Sequence, residues 1–181
     1  MRVLIPLAHG VEELEAVTII DVLRRGGLEV TAAAIGNDRT VHGSRGVTLI
    51  ADALWTSLEI DTFDAIVLPG GGKGTEALSA DTRVIDAVRA FDEAGKFVAA
   101  LCAAPTVLAA ANLLANRKAT CYPSCAKQLG KSYDDAPVIA DGNIITSQGP
   151  GTAMLFSLVL IQHFVGDETA QRVAEGLLTS F

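Results

Sequence analysis

Three segments of the chain carry side chains able to do chemistry. The first is Val98-Ala99-Ala100-Leu101-Cys102-Ala103-Ala104-Pro105-Thr106, where an apolar run gives way to a helix pattern with the cysteine at the corner. Pro105 suits the first helical turn, where its missing N–H costs little. A thiol at that corner lies near a helix N-terminus, whose partial positive charge favours the thiolate. The small neighbours Ala103 and Ala104 fit a strand–nucleophile–helix elbow that lifts the side chain clear of a sheet. The position fits a buried, space-filling cysteine equally well. The second segment holds Glu15. On a helical wheel of about 100° per residue, Glu15 falls among Val11, Thr18, Ile19 and Val22, whereas Glu13, Asp21, Arg24 and Arg25 gather on a separate arc facing solvent. A carboxyl on an apolar stripe has a raised pKa, the condition for a proton donor or shuttle. An acid in a first helical turn also stabilises the helix dipole, a role that suits Glu12 and Glu13 better.

The third segment is Pro69-Gly70-Gly71-Gly72-Lys73-Gly74. It has neither the G-x-x-x-x-G-K-[ST] spacing of a phosphate loop nor G-x-G-x-x-G. Glycines at a strand end bring backbone N–H groups close to a ligand, as an oxyanion hole requires, and turn-making explains them as well. The histidines give no motif. His163 lies in a helix pattern, and only His9, after the first strand, stands on the side of Cys102. Cys121 and Cys125 have no partner Cys or His at zinc spacing and read as packing residues beside the site. No metal and no cofactor is expected.

The elements that must position these groups follow from the apolar pattern. Short runs rich in Val, Ile and Ala alternate with helix-sized segments. Strands are expected at 3–8, 28–35, 63–68, 97–101, 119–122, around Val138 and at 144–146, with a hairpin excursion over 40–50. Helices are expected at 12–25, ended by Gly26-Gly27, and at 81–94, 104–115, 152–164 and 168–178. Near-continuous apolar strands are those of a parallel sheet covered on both faces. The reading is one doubly wound α/β domain over residues 1–181, with a ligand site beyond the carboxyl ends of the strands.

Composition narrows the function classes. Half of the 181 residues are hydrophobic, and 14 Lys+Arg against 21 Asp+Glu give a net charge of −7. That is too apolar for a disordered chain and lacks the clustered basic residues of a nucleic-acid binder. No apolar stretch reaches the ~18 residues of a membrane span. Met1 to Pro6 run straight into a strand pattern without a cleavage site, and three cysteines are too few and odd for a disulfide scaffold. A cytoplasmic protein is expected.

Five segments together resemble the DJ-one/ThiJ/PfpI superfamily, in the branch of the parkinsonism-associated protein deglycase. They are Gly10 to Ala16, Ser44-Arg45-Gly46, Val67 to Gly71, Ala100 to Pro105 and Thr146 to Thr152, and the resemblance runs end to end. It implies a flavodoxin-like fold, a mostly parallel sheet with helices on both faces, and a homodimer. Carried over by position, Cys102 matches the nucleophile, Glu15 its partnering acid, and the N–H groups of Gly71 and Ala103 the oxyanion donors. Arg45 and Arg25 match arginines near the site or the dimer interface. Tyr122 departs from the pattern, standing where many members have histidine, so Glu15 becomes the leading acid–base group. The implied activity is a cofactor-free glyoxalase or deglycase acting on methylglyoxal, glyoxal or their protein or nucleotide adducts. The alternative is a non-enzymatic oxidative-stress sensor or redox-regulated chaperone using the same cysteine. A flavodoxin-like nucleotide binder is a third, weaker reading. No membrane and no sequence-specific nucleic acid is implied as partner.

Overall fold

The computed structural model describes residues 1–181. In chain order, the strands are β1 (Arg2–Leu7), β2 (Glu29–Ala34), β3 (Thr40–His42), β4 (Thr48–Ile50), β5 (Ala53–Leu54), β6 (Ala65–Leu68), β7 (Phe97–Leu101), β8 (Val138–Asp141) and β9 (Ile144–Ser147). The helices are α1 (Glu13–Arg25), α2 (Gly72–Ala80), α3 (Thr82–Glu93), α4 (Pro105–Ala110), α5 (Ala126–Leu129), α6 (Ala153–Val165) and α7 (Asp167–Gly176). Seven strands form one sheet in the order β5-β2-β1-β6-β7-β9-β8, and β3 and β4 form a separate antiparallel hairpin. All sheet pairs are parallel except β8 with β9. This is the α/β, mostly parallel sheet that the alternation of strands and helices implies.

Alternation along each strand divides the core. Val3, Ile5 and Leu7 of β1, with Val67, Ala99 and Leu101, face α1, α6 and α7. Leu4, Ile66, Leu68, Val98 and Ala100 face α3 and α4 on the other side. Central strands buried on both faces explain why these runs are apolar throughout. No helix is long and apolar enough to cross a membrane.

Several local expectations change. The helix after Cys102 covers only Pro105–Ala110, because Asn112 and Asn116 adopt φ of 64° and turn the chain out of helical geometry. Residues 119–122 form no strand; Ala119 makes a single bridge to Tyr133. The glycine loop opens α2, a helix hidden from the periodicity by its glycines. The last two strands are a hairpin turned at Gly142, whose φ is 63°.

Glu13 is the instructive correction. The wheel placed it toward solvent, yet it is 7% exposed. Its Oε1 accepts the Arg45 and Val47 N–H groups (2.8 and 3.2 Å) and its Oε2 the Ser44 hydroxyl (3.2 Å). Burial works to raise its pKa, but these hydrogen bonds and that of its own backbone hold the carboxyl below its ordinary value. A helix wheel registers the helix's own apolar stripe and misses a loop that closes over its side. The hairpin turn is thus fastened to the first turn of α1. Replacing Glu13 by Ala is expected to speed hydrogen exchange of the Arg45 and Val47 amides by about tenfold or more while β1 and β6 amides keep their protection. Unchanged exchange at 45 and 47 would show that the turn holds its shape without the carboxylate.

Candidate active site

Cys102 follows β7 directly and takes a left-handed backbone, φ 61°. Such a conformation costs a non-glycine residue roughly 1–3 kcal/mol and persists only where the surroundings fix it. Here the Cys102 N–H donates to the Ser147 carbonyl (2.9 Å) and its carbonyl accepts from the Tyr122 N–H (2.7 Å). The elbow is therefore held from β9 on one side and from the 122 loop on the other. The residue is 9% exposed and lines a cavity of about 790 Å³ beyond the carboxyl ends of β1, β6 and β7.

Glu15 lies in the first turn of α1 and is completely buried. Its Oε2 accepts the Gly70 N–H at 2.8 Å, its Oε1 has no hydrogen-bond partner, and the carboxyl lies beside the Cys102 thiol, near enough that each shifts the other's pKa. Gly70 makes this meeting possible. A Cβ there would stand 2.7 Å from the Cys102 Cβ and 2.8 Å from Glu15 Oε2, filling the gap between carboxyl and thiol. Gly71, at φ 97°, leaves no room for a Cβ against Gly10 and Glu12. It turns its N–H toward the sulfur, as Ala103 does.

Burial raises the Glu15 pKa to about 7, against the lowering effect of the Cys102 and Gly70 hydrogen bonds, and the Glu12 charge adds to the rise. Burial, then the charge and hydrogen bond of Glu15, push the Cys102 thiol up to about 12, while the Gly71 and Ala103 N–H groups pull it down. The sequence pattern at Cys102 predicts a helix N-terminus beside the sulfur. The six-residue α4 begins only at Pro105, and the amides that reach the sulfur are instead those of Gly71 and Ala103. With Glu15 ionised its charge helps keep the thiol protonated, and with the proton on Glu15 that opposing charge disappears.

The other named residues separate. Arg45 and Tyr122 line the cavity, as do His9, His42, Lys73 and Cys125, and Cys121 is buried behind them. Arg25 does not line it; it pairs with Asp21 at 2.6 Å near the far end of α1. His42 and Lys73 were missed as site residues, and spacing gives no sign of them. The hairpin carries His42 across to stack on His9, with centroids 5.2 Å apart. No three His, Cys, Asp or Glu side chains are grouped to hold a metal ion.

Because burial raises the Glu15 pKa from 4.5 to about 7, the folded state binds the proton more tightly than the unfolded state. This contribution is fully present below the unfolded pKa and is lost as pH rises through the folded one. Between about pH 5.5 and pH 8, wild type should lose about 2 kcal/mol of stability relative to Glu15→Gln, read by urea unfolding. A difference between the two proteins that does not change with pH would show that Glu15 titrates normally.

The sequence profile of the DJ-1/PfpI family matches residues 1–163. Protein dj-1beta of Drosophila melanogaster is 42% identical over 181 residues, covering 98% of this chain and 97% of its own. The glutathione-independent glyoxalase DJ-1 of Schizosaccharomyces pombe is 32% identical, covering 98% of each chain. Among solved structures, oxidized Toxoplasma gondii DJ-1 superposes with a TM-score of 0.96 at 38% identity over 99% of both chains. Family match, end-to-end similarity and shared architecture agree that this chain belongs to the DJ-1/PfpI family, in its DJ-1 branch.

Proposed function

We propose that the protein is a cofactor-independent glyoxalase or deglycase that consumes methylglyoxal, glyoxal or their early adducts with protein or nucleotide groups through Cys102. The observation that carries this reading is the buried Glu15 carboxyl facing the Cys102 thiol across Gly70. The similarity to a glutathione-independent glyoxalase supports it.

Proton transfer from Cys102 to Glu15 gives a thiolate beside a neutral acid. The sulfur adds to the aldehyde carbon, forming a C–S bond, and the Gly71 and Ala103 N–H groups receive the resulting oxyanion. Glu15 protonates that oxygen, and the carboxylate so formed removes the hydrogen from the same carbon. Returning this proton to the neighbouring carbon, while the hydroxyl proton passes to that carbon's oxygen, leaves a 2-hydroxy thioester on Cys102. Water then releases the 2-hydroxy acid and restores the thiol, so one aldehyde and one water give one acid with no redox partner. A pKa near 7 suits a group that must both give and take this proton.

A second reading draws on the same carboxyl. Protonated, Glu15 can donate to an oxygen of oxidised sulfur and so favour the sulfinate, which is the chemistry of a redox sensor or redox-regulated chaperone. Consumption of two hydroperoxides yields the sulfinic acid and two water-level products. The two readings differ in turnover. Cys102→Ala should lower lactate formation from methylglyoxal about a thousandfold or more, and Glu15→Gln about a hundredfold or more. Selective Cys102 oxidation by mild peroxide, with negligible aldehyde consumption by wild type, would favour the sensor instead.

The protein is proposed to act as a homodimer in the cytoplasm, where free cysteines persist. The exposed Leu14 and Val17 of α1 and Val47 and Ile50 around β4 supply apolar surface where Glu13 ties helix and hairpin together. Leu14→Glu combined with Ile50→Lys should convert a dimer to a monomer in sedimentation equilibrium. A wild-type mass of one chain would remove the proposal.

A further inference from the structure

One wall of the Cys102 cavity carries cations that the chemistry above leaves idle. His9, just past β1, and His42, at the end of β3, stack with their planes within 17°. The His42 backbone N–H donates to His9 Nδ1 at 3.1 Å, which leaves the ring proton on Nε2. Lys73, in the first turn of α2, and Arg45, in the hairpin turn, line the same cavity. Neither side chain enters an ion pair, in a chain whose net charge is −7. One carboxylate, Glu12, stands among them, and its Oε2 already accepts the Glu15 N–H at 2.8 Å.

The arrangement is built into the fold. Lys73 packs so closely over Gly10 that a Cβ there would lie 2.6 Å from the lysine Cβ, and Glu13 holds the backbone on which Arg45 rides. The Gly72 and Lys73 amides on the same wall make no backbone bond. Methylglyoxal is small and neutral and uses none of these groups. A concave wall bearing two formal cations beside a nucleophile raises the local concentration of anions and orients them, and a guanidinium matches a carboxylate or phosphate with paired N–H groups.

We infer that this wall is a subsite for an anionic substituent, and that the preferred substrates are 2-oxoaldehydes carrying a carboxylate or phosphate a few atoms from the reacting carbonyl. This deepens the proposed function and rests on Cys102 acting as the aldehyde nucleophile. The carbonyl lies over Cys102 and the anion reaches Lys73, Arg45 and the His9 Nε2–H.

The test compares phenylglyoxal with p-carboxyphenylglyoxal, which share the reacting group and differ by one negative charge. At low ionic strength, wild type should favour the carboxylated compound about tenfold in kcat/KM, mainly through KM, and added salt should shrink that preference. Lys73→Gln and His9→Gln should each reduce the KM ratio about threefold or more, and Lys73→Arg should retain it. Equal KM values in wild type, or a preference that both glutamine variants keep, would overturn the subsite while leaving the proposed function standing. If neither compound is consumed, the proposed function fails, and calorimetric titration with inorganic phosphate decides the subsite independently. Saturable binding that Lys73→Gln weakens about tenfold would support it, and no heat of binding in wild type would overturn it.

Discussion

Everything at this site depends on one buried contact: the Glu15 carboxyl and the Cys102 thiol meet where Gly70 has no side chain. A lone carboxylate removed from water is costly, and burial alone would merely hold it neutral. The Gly70 N–H on one oxygen and the neighbouring Cys102 thiol offset part of that cost, so burial raises the carboxyl only to about 7. The nearby features serve that contact. The left-handed elbow aims the sulfur, Ser147 and Tyr122 hold the elbow, and the glycine run keeps the gap open.

The sheet supplies the rigidity this needs. Cys102, Gly70 and Glu15 come from three separate elements, reached over the ends of β7, β6 and β1. Those strands are neighbours in the order β1-β6-β7 and paired in fixed parallel register. Core layers on both faces hold that register. Sites built on the ends of packed strands stay in place because no strand can shift without disturbing both layers.

Much of this was legible in the residues themselves. The elbow could be read from the change of pattern at Cys102 and its alanine neighbours, and Glu15 from its place on the apolar stripe of α1. Both are local signals, carried within one element. What escaped was non-local. Glu13 is buried by a loop more than 30 residues away, and His42 reaches His9 because the β3–β4 hairpin folds back over the site. Within elements, glycine concealed α2 and two asparagines shortened α4, cases where propensity and tertiary context point in different directions.

Glu13 and Glu15 are the same residue type two positions apart, and they titrate in opposite directions. One stays charged to hold a loop, and the other is pushed toward neutrality beside a thiol. Only the phase of α1 distinguishes them, since each residue advances the helix by about 100°. The chain between the end of β1 and Glu13 is therefore a length standard. Adding or deleting a single residue there would rotate Glu13 and Glu15 out of their places together, without changing either side chain.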